Sequence, residues 1–286
     1  MFHMYNKFGD IMKYSPKEMA SFLNENNFNF KKKFGQNFII DENVIESALS
    51  SIELDKNTLV IEVGPGAGSL TYKLATYASK VLCYEIDETL SDILNNNLKE
   101  FDNIEIIFDD FLKRNVLKDI EKYDYDKLYV VANLPYYITT PIIVKFIEDK
   151  IPVDKIVVMV QKEVGDRFKA LPKTKDYGSL TVYLNYYFNV RKVMNVSRNV
   201  FLPKPNVDSI IVEFKKKETL LCLKNEETFF KLVRDSFTQK RKTLKNNLKN
   251  YDLEKIEEVL VKNGYSLSIR AEELPLEIFV EISNNI

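Results

Sequence analysis

The stretch TLVIEVGPGAGSL, Thr58 to Leu70, runs a short apolar segment into three glycines and then into SLTYKLATYA. The apolar run predicts a buried strand, and SLTYKLATYA has the spacing of a helix. Gly64, Gly66 and Gly68 lie between them. Lacking a Cβ, they let backbone approach a ligand closely at the start of the helix. The dinucleotide pattern G-x-G-x-x-G is not met. The third glycine comes one residue early and Pro65 stiffens the turn, which favours a nucleoside ligand without a pyrophosphate over NAD. Taken alone, the glycines fit a purely structural tight turn equally well.

The same alternation continues on both sides. DENVIESALSSI opens with an N-cap candidate, Asp41, and has helical spacing. KVLCYEID, IEIIFDD, KLYVVANLP and DKIVVMVQK read as strands, with helices TLSDILNNNLKEF and PIIVKFIED between them. Strands alternating with helices predict an α/β fold, a parallel sheet covered on both faces. SLTVYLNYYFNVRKVMNV and SIIVEFKKK read as longer strands forming an antiparallel edge. After about residue 216 the pattern becomes helical throughout, in TFFKLVRDSFTQKRKTLKNNL, LEKIEEVLVKNG and PLEIFVEISNN. The expected organisation is an N-terminal extension (1–30), an α/β domain (31–215) and a small all-α domain (216–286).

Composition narrows the function classes. The 286 residues are 45% hydrophobic and 12% aromatic, enough for a sizeable core. No apolar run approaches the roughly 18 residues of a membrane span, and MFHMYNKFGD lacks a signal pattern. Two distant cysteines, Cys83 and Cys222, predict neither disulfide framework nor zinc site and suit a reducing cytoplasm. The single histidine, His3, removes histidine catalysis and most histidine metal sites, so no metal is expected. With 41 basic and 42 acidic residues, the sum of charges advertises no polyanion partner, but their distribution is uneven. Lys31, Lys32 and Lys33 form one basic run, and Lys231 to Lys249 holds seven Lys/Arg against one acid, Asp235. Each run alone reads as a solvated face. Two flanking the α/β domain point toward phosphate contact.

Polar residues stand at successive strand ends. Glu85 in LCYEIDE follows the glycines by about 20 residues, where an acid accepts from ribose hydroxyls. Asp110 in FDD could accept from an adenine exocyclic amine, and open α/β sheets bind ligands along this edge. VVANLPYYITTP, Val130 to Pro141, then ends a buried strand in an amide. The Asn133 side-chain oxygen and the Leu134 carbonyl can both accept from a planar NH2 group. Pro135 stiffens the backbone that holds them, and Tyr136 offers a face for a base. Placement of the amine beside an electrophile can supply most of the barrier reduction.

With these residues in place, the chain resembles the S-adenosylmethionine-dependent rRNA adenine N6,N6-dimethyltransferases, in particular their small-subunit (16S) branch. The resemblance runs from about residue 30 to 250 through KKKFGQNF, EVGPGAGSLT, YEID, DD, NLPYYITTP, QKEV, YGSLTV, FLPKPNVDS and FTQKRKTLKNNL, in order. It implies a class I (Rossmann-like) methyltransferase sheet, with S-adenosylmethionine as methyl donor and no metal. Asn37 and the Ile39 backbone would contact that cofactor, and Gly64, Gly66, Glu85, Asp110 and Asn133 would line the rest of its pocket. Asn133, Leu134 and Tyr136 would hold the target adenine, with Phe201 covering its other side. The implied substrate is a pair of adjacent adenosines in the loop near the 3′ end of small-subunit rRNA, either as free rRNA or in an immature small subunit, met by a monomeric cytoplasmic enzyme. Lys31, Lys32, Lys33, Lys240, Arg241 and Lys242 are the candidate phosphate contacts. QNFI stands where the family usually has QNFL, and NLPYY where many members have NLPYN. The rival large-subunit branch, linked to macrolide resistance, usually carries isoleucine at the position of Leu134. A non-enzymatic factor on the same fold and a DNA adenine methyltransferase are further alternatives.

Overall fold

A computed structural model describes residues 30, 31 and 34–286. The extension up to residue 29 and the candidates Lys32 and Lys33 lie outside the described residues. The chain divides into two compact units. One runs to Lys162 and adds Val193–Glu213; the other joins Glu163–Lys192 to Phe214–Ile286.

The sheet is built around β2 (Thr58–Val63), whose six residues are all buried. The other strands are β3 (Lys80–Glu85), β4 (Ile104–Phe108), β5 (Lys127–Asn133), β6 (Lys155–Gln161), β7 (Phe188–Val196) and β9 (Ser209–Lys216). Their order is β4-β3-β2-β5-β6-β9-β7. The pairs β2·β3, β2·β5, β3·β4 and β5·β6 are parallel, as the alternating pattern predicts. The chain lays β3 and β4 on one side of β2, then returns to place β5 and β6 on the other. That reversal between β2 and β5 is the topological switch point, where open α/β sheets hold ligands at the strand carboxyl ends. A separate two-stranded ladder pairs β1 (Phe38–Ile39) with β8 (Phe201–Leu202), Ile39 opposite Phe201.

One sheet face carries Val60, Val81, Val131 and Val157. It packs with Leu70 and Leu74 of helix Ser69–Tyr77 and with Val44 and Ile45 of helix Glu42–Leu49. The latter helix begins where expected, with the Asp41 carboxylate accepting from the Asn43 N–H at 2.9 Å. Gly68 precedes helix Ser69–Tyr77 at φ 88°. A Cβ there would lie 3.3 Å from methyl carbons of both Leu94 and Leu98, so the close strand-to-helix turn favours glycine twice over.

The second unit has its own core. Helix Glu226–Ser236, capped by Asn225, buries Phe229, Leu232, Val233 and Ser236 along one face. Helix Leu253–Lys262, capped by Asp252, contributes Ile256 and Leu260, and helix Leu276–Asn285 contributes Phe279. Two expectations are corrected here. SLTVYLNYYFNVRKVMNV is not one strand: Ser179–Tyr187 is helical and only Phe188–Val196 is extended. Its aromatic and β-branched residues favour a strand locally, but the helix lets Tyr183 and Tyr186 donate to the carbonyls of Phe230 and Leu221, and Tyr186 packs on Phe229. Packing overrides propensity. TFFKLVRDSFTQKRKTLKNNL is likewise interrupted: residues 237–242, which include Lys240, Arg241 and Lys242, form a turn between helices Glu226–Ser236 and Leu244–Asn247. Among the described residues, no helix is long and apolar enough to cross a membrane.

Candidate active site

A cleft open to solvent lies at the carboxyl ends of β2, β3 and β5. Asn37, Ile39, Gly64, Gly66, Glu85, Asp110, Asn133, Leu134 and Tyr136 all line it. Residues spread over nearly a hundred positions are thus brought together by the switch point. Phe201 is not among the lining residues. It is 2% exposed and packs in the core with Ile39, Val196 and Ile211.

The glycine turn shapes the floor. Gly66 sits at φ 60°, and a Cβ on it would stand 2.7 Å from the Phe38 ring, so any side chain would displace the residue beneath the turn. Its N–H donates to Glu85 Oε2 at 3.2 Å, while the Asp87 N–H donates to Glu85 Oε1 at 2.9 Å. Glu85 is 5% exposed. Burial pushes its carboxyl up to about 7 and the Asp87 charge adds to that, against the two backbone donors and Ile86. Glu62, at the end of β2, is buried more deeply and pushed up to about 8, chiefly by the same loss of solvent. Asp110 is partly committed to its own backbone, where it caps the turn Phe111–Lys113 by accepting from the Leu112 N–H at 3.0 Å.

Across the cleft, Asn133 Nδ2 donates to the Asn37 carbonyl at 2.8 Å. That bond decides which end of the amide is which, and it leaves Oδ1 as the acceptor on the other side. Asn37 is itself fixed by donating from Nδ2 to the Gly35 carbonyl at 2.9 Å. The Leu134 N–H donates to the Met159 carbonyl at 3.1 Å, anchoring the chain after β5 to β6. The Tyr136 hydroxyl lies 2.6 Å from Ser209 Oγ, which pins the outer end of its ring.

A second constellation escapes sequence reasoning. Asp87, whose side chain is 2% exposed, accepts from Lys31 Nζ at 2.6 Å and from Gln36 Nε2 at 2.8 Å. The Lys31 N–H closes the loop by donating to Gln36 Oε1 at 2.8 Å. Gln36 and Asp87 both fall inside recognisable motifs, QNF and YEID, but nothing in their separate spacings says that they meet. The Lys31 ammonium is therefore held in an internal ion pair. In the other unit, Lys240 Nζ donates to the Lys175 carbonyl and lies 3.8 Å from Glu272 Oε2. Arg241 and Lys242 are exposed and enter no ion pair among the described residues. Also among the described residues, no group of three or more His, Cys, Asp or Glu is placed to hold a metal.

Comparison with known proteins agrees with this geometry. The model of the family described as ribosomal RNA adenine dimethylase matches residues 27–286. A protein named Ribosomal RNA small subunit methyltransferase A from Staphylococcus haemolyticus is 45% identical over 277 residues, spanning 94% of each chain. Its namesake from Staphylococcus aureus is 44% identical over 277 residues, covering 94% of this chain and 93% of that one. Among solved structures, a dimethyladenosine transferase from Plasmodium falciparum superposes with a TM-score of 0.70 at 27% identity, covering 86% of this chain and 95% of that one. The 23S rRNA methyltransferase ErmE gives 0.69 at 27% identity, covering 87% and 99%.

The raised Glu85 pKa has a measurable cost. An unfolded chain releases this proton near 4.5, whereas the folded chain keeps it to about 7. Stability contributed by this site is therefore lost as pH rises from 4.5 to 7, by roughly 3 kcal/mol, and is flat above that. Urea unfolding at pH 5 and pH 8 should show this fall in the wild type and a shallower one in Glu85→Gln. Equal slopes in the two proteins would mean that Glu85 ionises normally.

Proposed function

The chain belongs to the ribosomal RNA adenine dimethylase family, and on that premise we propose that it dimethylates N6 of two adjacent adenosines in the 3′-terminal hairpin loop of small-subunit rRNA. The proposed donor is S-adenosylmethionine, and the proposed setting is the immature small subunit in the cytoplasm, with the enzyme acting as a monomer. The small-subunit choice is supported by relatives at 44–45% identity that carry that name, against 27% for the 23S enzyme. Leu134, where the large-subunit branch usually has isoleucine, points the same way.

The residues present fit the donor. Glu85 offers a buried carboxylate at the strand end where ribose hydroxyls are read. The Gly66 turn, packed on the Phe38 ring with no room for a side chain, brings bare backbone to the cleft. Asp110 Oδ2 does not cap the following turn; it lies 3.7 Å from the exposed Lys113 Nζ and is the oxygen that could accept from an adenine amine. When bound, S-adenosylmethionine supplies a methyl group made electrophilic by its positive sulfur.

What the protein does to the acceptor follows from the Asn133 amide, the observation that carries the reading. Its Nδ2 is committed to the Asn37 carbonyl, so Oδ1 faces the cleft as an acceptor. Together with the Leu134 carbonyl it can take both N–H bonds of an exocyclic amine, making the nitrogen lone pair more available and aiming it into the cleft. Tyr136, pinned through Ser209, offers a stacking face worth about 1–3 kcal/mol. The nitrogen becomes acidic once alkylated and its proton leaves to water, so no strong base is required. A loop adenine must leave its stack to reach such a pocket. Phosphate contact is assigned to the turn bearing Lys240, Arg241 and Lys242, all exposed, of which Arg241 and Lys242 enter no ion pair among the described residues.

Two outcomes are expected. With labelled S-adenosylmethionine, dimethyladenosine should form in immature small-subunit particles and not in large-subunit rRNA, and Asn133→Ala should lower turnover on the order of a hundredfold or more. Label in the large-subunit RNA, or full turnover in the mutant, would overturn the assignment. Reversing charge at Arg241 and Lys242 should weaken RNA binding and flatten its log–log salt slope by about 0.7–0.9 for each phosphate no longer neutralised. An unchanged slope would remove this turn from the interface.

A further inference from the structure

The turn Tyr136–Ile138 presents two consecutive tyrosines, and the acceptor site uses only the first. In a 3-10 turn neighbouring residues point about 120° apart, so the two rings face different parts of the cleft. Tyr136 is directed to Ser209. Tyr137 lines the same cleft but is 54% exposed. Its ring lies against the Gly35 turn: a Cβ built on Gly35 would be 3.3 and 3.4 Å from two of its ring carbons. Partial burial raises the Tyr137 hydroxyl pKa, and the charges of Asp110 and Glu85 raise it further, which places that hydroxyl within the field of the two donor-site carboxylates.

We infer that Tyr137 is a stacking residue for the nucleoside of the methyl donor, closing over it from the side of the Gly35 turn, so that one short turn gives one tyrosine to each substrate. This rests on the donor reading proposed above. The choice of donor over RNA follows from charge. The Asp110 carboxylate repels a phosphodiester backbone, whereas an adenosine brings hydroxyl and amine donors to Glu85 and Asp110. An exposed aromatic face at the mouth of a nucleoside cleft also gains by being covered. Because the contact is to the nucleoside and not to the reacting methyl, it holds S-adenosylmethionine and its demethylated product S-adenosylhomocysteine equally. It therefore affects retention and not the chemical step.

Calorimetry separates the possibilities, using both ligands on wild type, Tyr137→Phe and Tyr137→Asn, with melting curves to confirm folding. The Asn variant should bind both ligands roughly tenfold more weakly, and the Phe variant should match wild type within about twofold, since the ring carries the contact. In turnover, KM for the donor should rise in the Asn variant while kcat stays. Equal donor affinity in wild type and Tyr137→Asn would overturn the inference, as would an effect confined to RNA binding. Failure of the wild type itself to bind either ligand would instead take down the donor reading, and this inference with it.

Discussion

The proposed chemistry of this cleft depends on one hydrogen bond: Asn133 Nδ2 to the Asn37 carbonyl, 2.8 Å long, joining residues 96 apart in sequence. An asparagine amide has one accepting and one donating end, and only the accepting end is useful to an amine that must be held by its N–H bonds. The bond to Asn37 makes that choice. It requires the segment around Asn37 to lie over the strand ends, and several contacts hold it there. Gln36 and Lys31 tie it to Asp87, Phe38 fills the space under the Gly66 turn, and the β1·β8 ladder fixes its far side. The sheet then needs only to present Gly64, Glu85, Asp110 and Asn133 at neighbouring strand ends, which its topology does.

The side proposed for the donor depends on a different balance. Glu85 is buried enough to resist ionisation, yet it accepts from two backbone N–H groups that favour the charged form. A ligand bringing hydroxyl donors to this carboxylate adds to the same side of the balance. Asp87 couples the two halves of the cleft. Its N–H supports Glu85 while its side chain holds Gln36, beside the residue that orients Asn133. In the proposed reading, acceptor geometry and donor binding share one buried aspartate.

Much of this is legible in the sequence because it depends on local order. Strand, glycine turn and helix follow one another in TLVIEVGPGAGSL, and polar residues at strand ends fall on one edge whenever the sheet is parallel. What is not legible depends on distant partners. The pairing of Lys31 with Asp87 spans 56 positions, and it turns a phosphate-contact candidate into an internal ion pair. Residues Ser179–Tyr187 look extended by propensity but are helical because their tyrosines reach partners near Leu221 and Phe230. Phe201 lies in a recognisable motif, yet its ring packs in the core and not in the cleft.

The most direct test of the account is the single-turnover methylation rate of Asn133→Asp beside that of Asn133→Ala. Aspartate keeps the shape of asparagine and offers a stronger acceptor, but it cannot donate to the Asn37 carbonyl, and its charge is repelled by that oxygen. If orientation by this bond is what matters, the Asp variant should be as slow as the Ala variant, on the order of a hundredfold below wild type. An Asp variant that methylates at close to the wild-type rate would show that any acceptor at position 133 suffices, and that the bond to Asn37 does not set the chemistry.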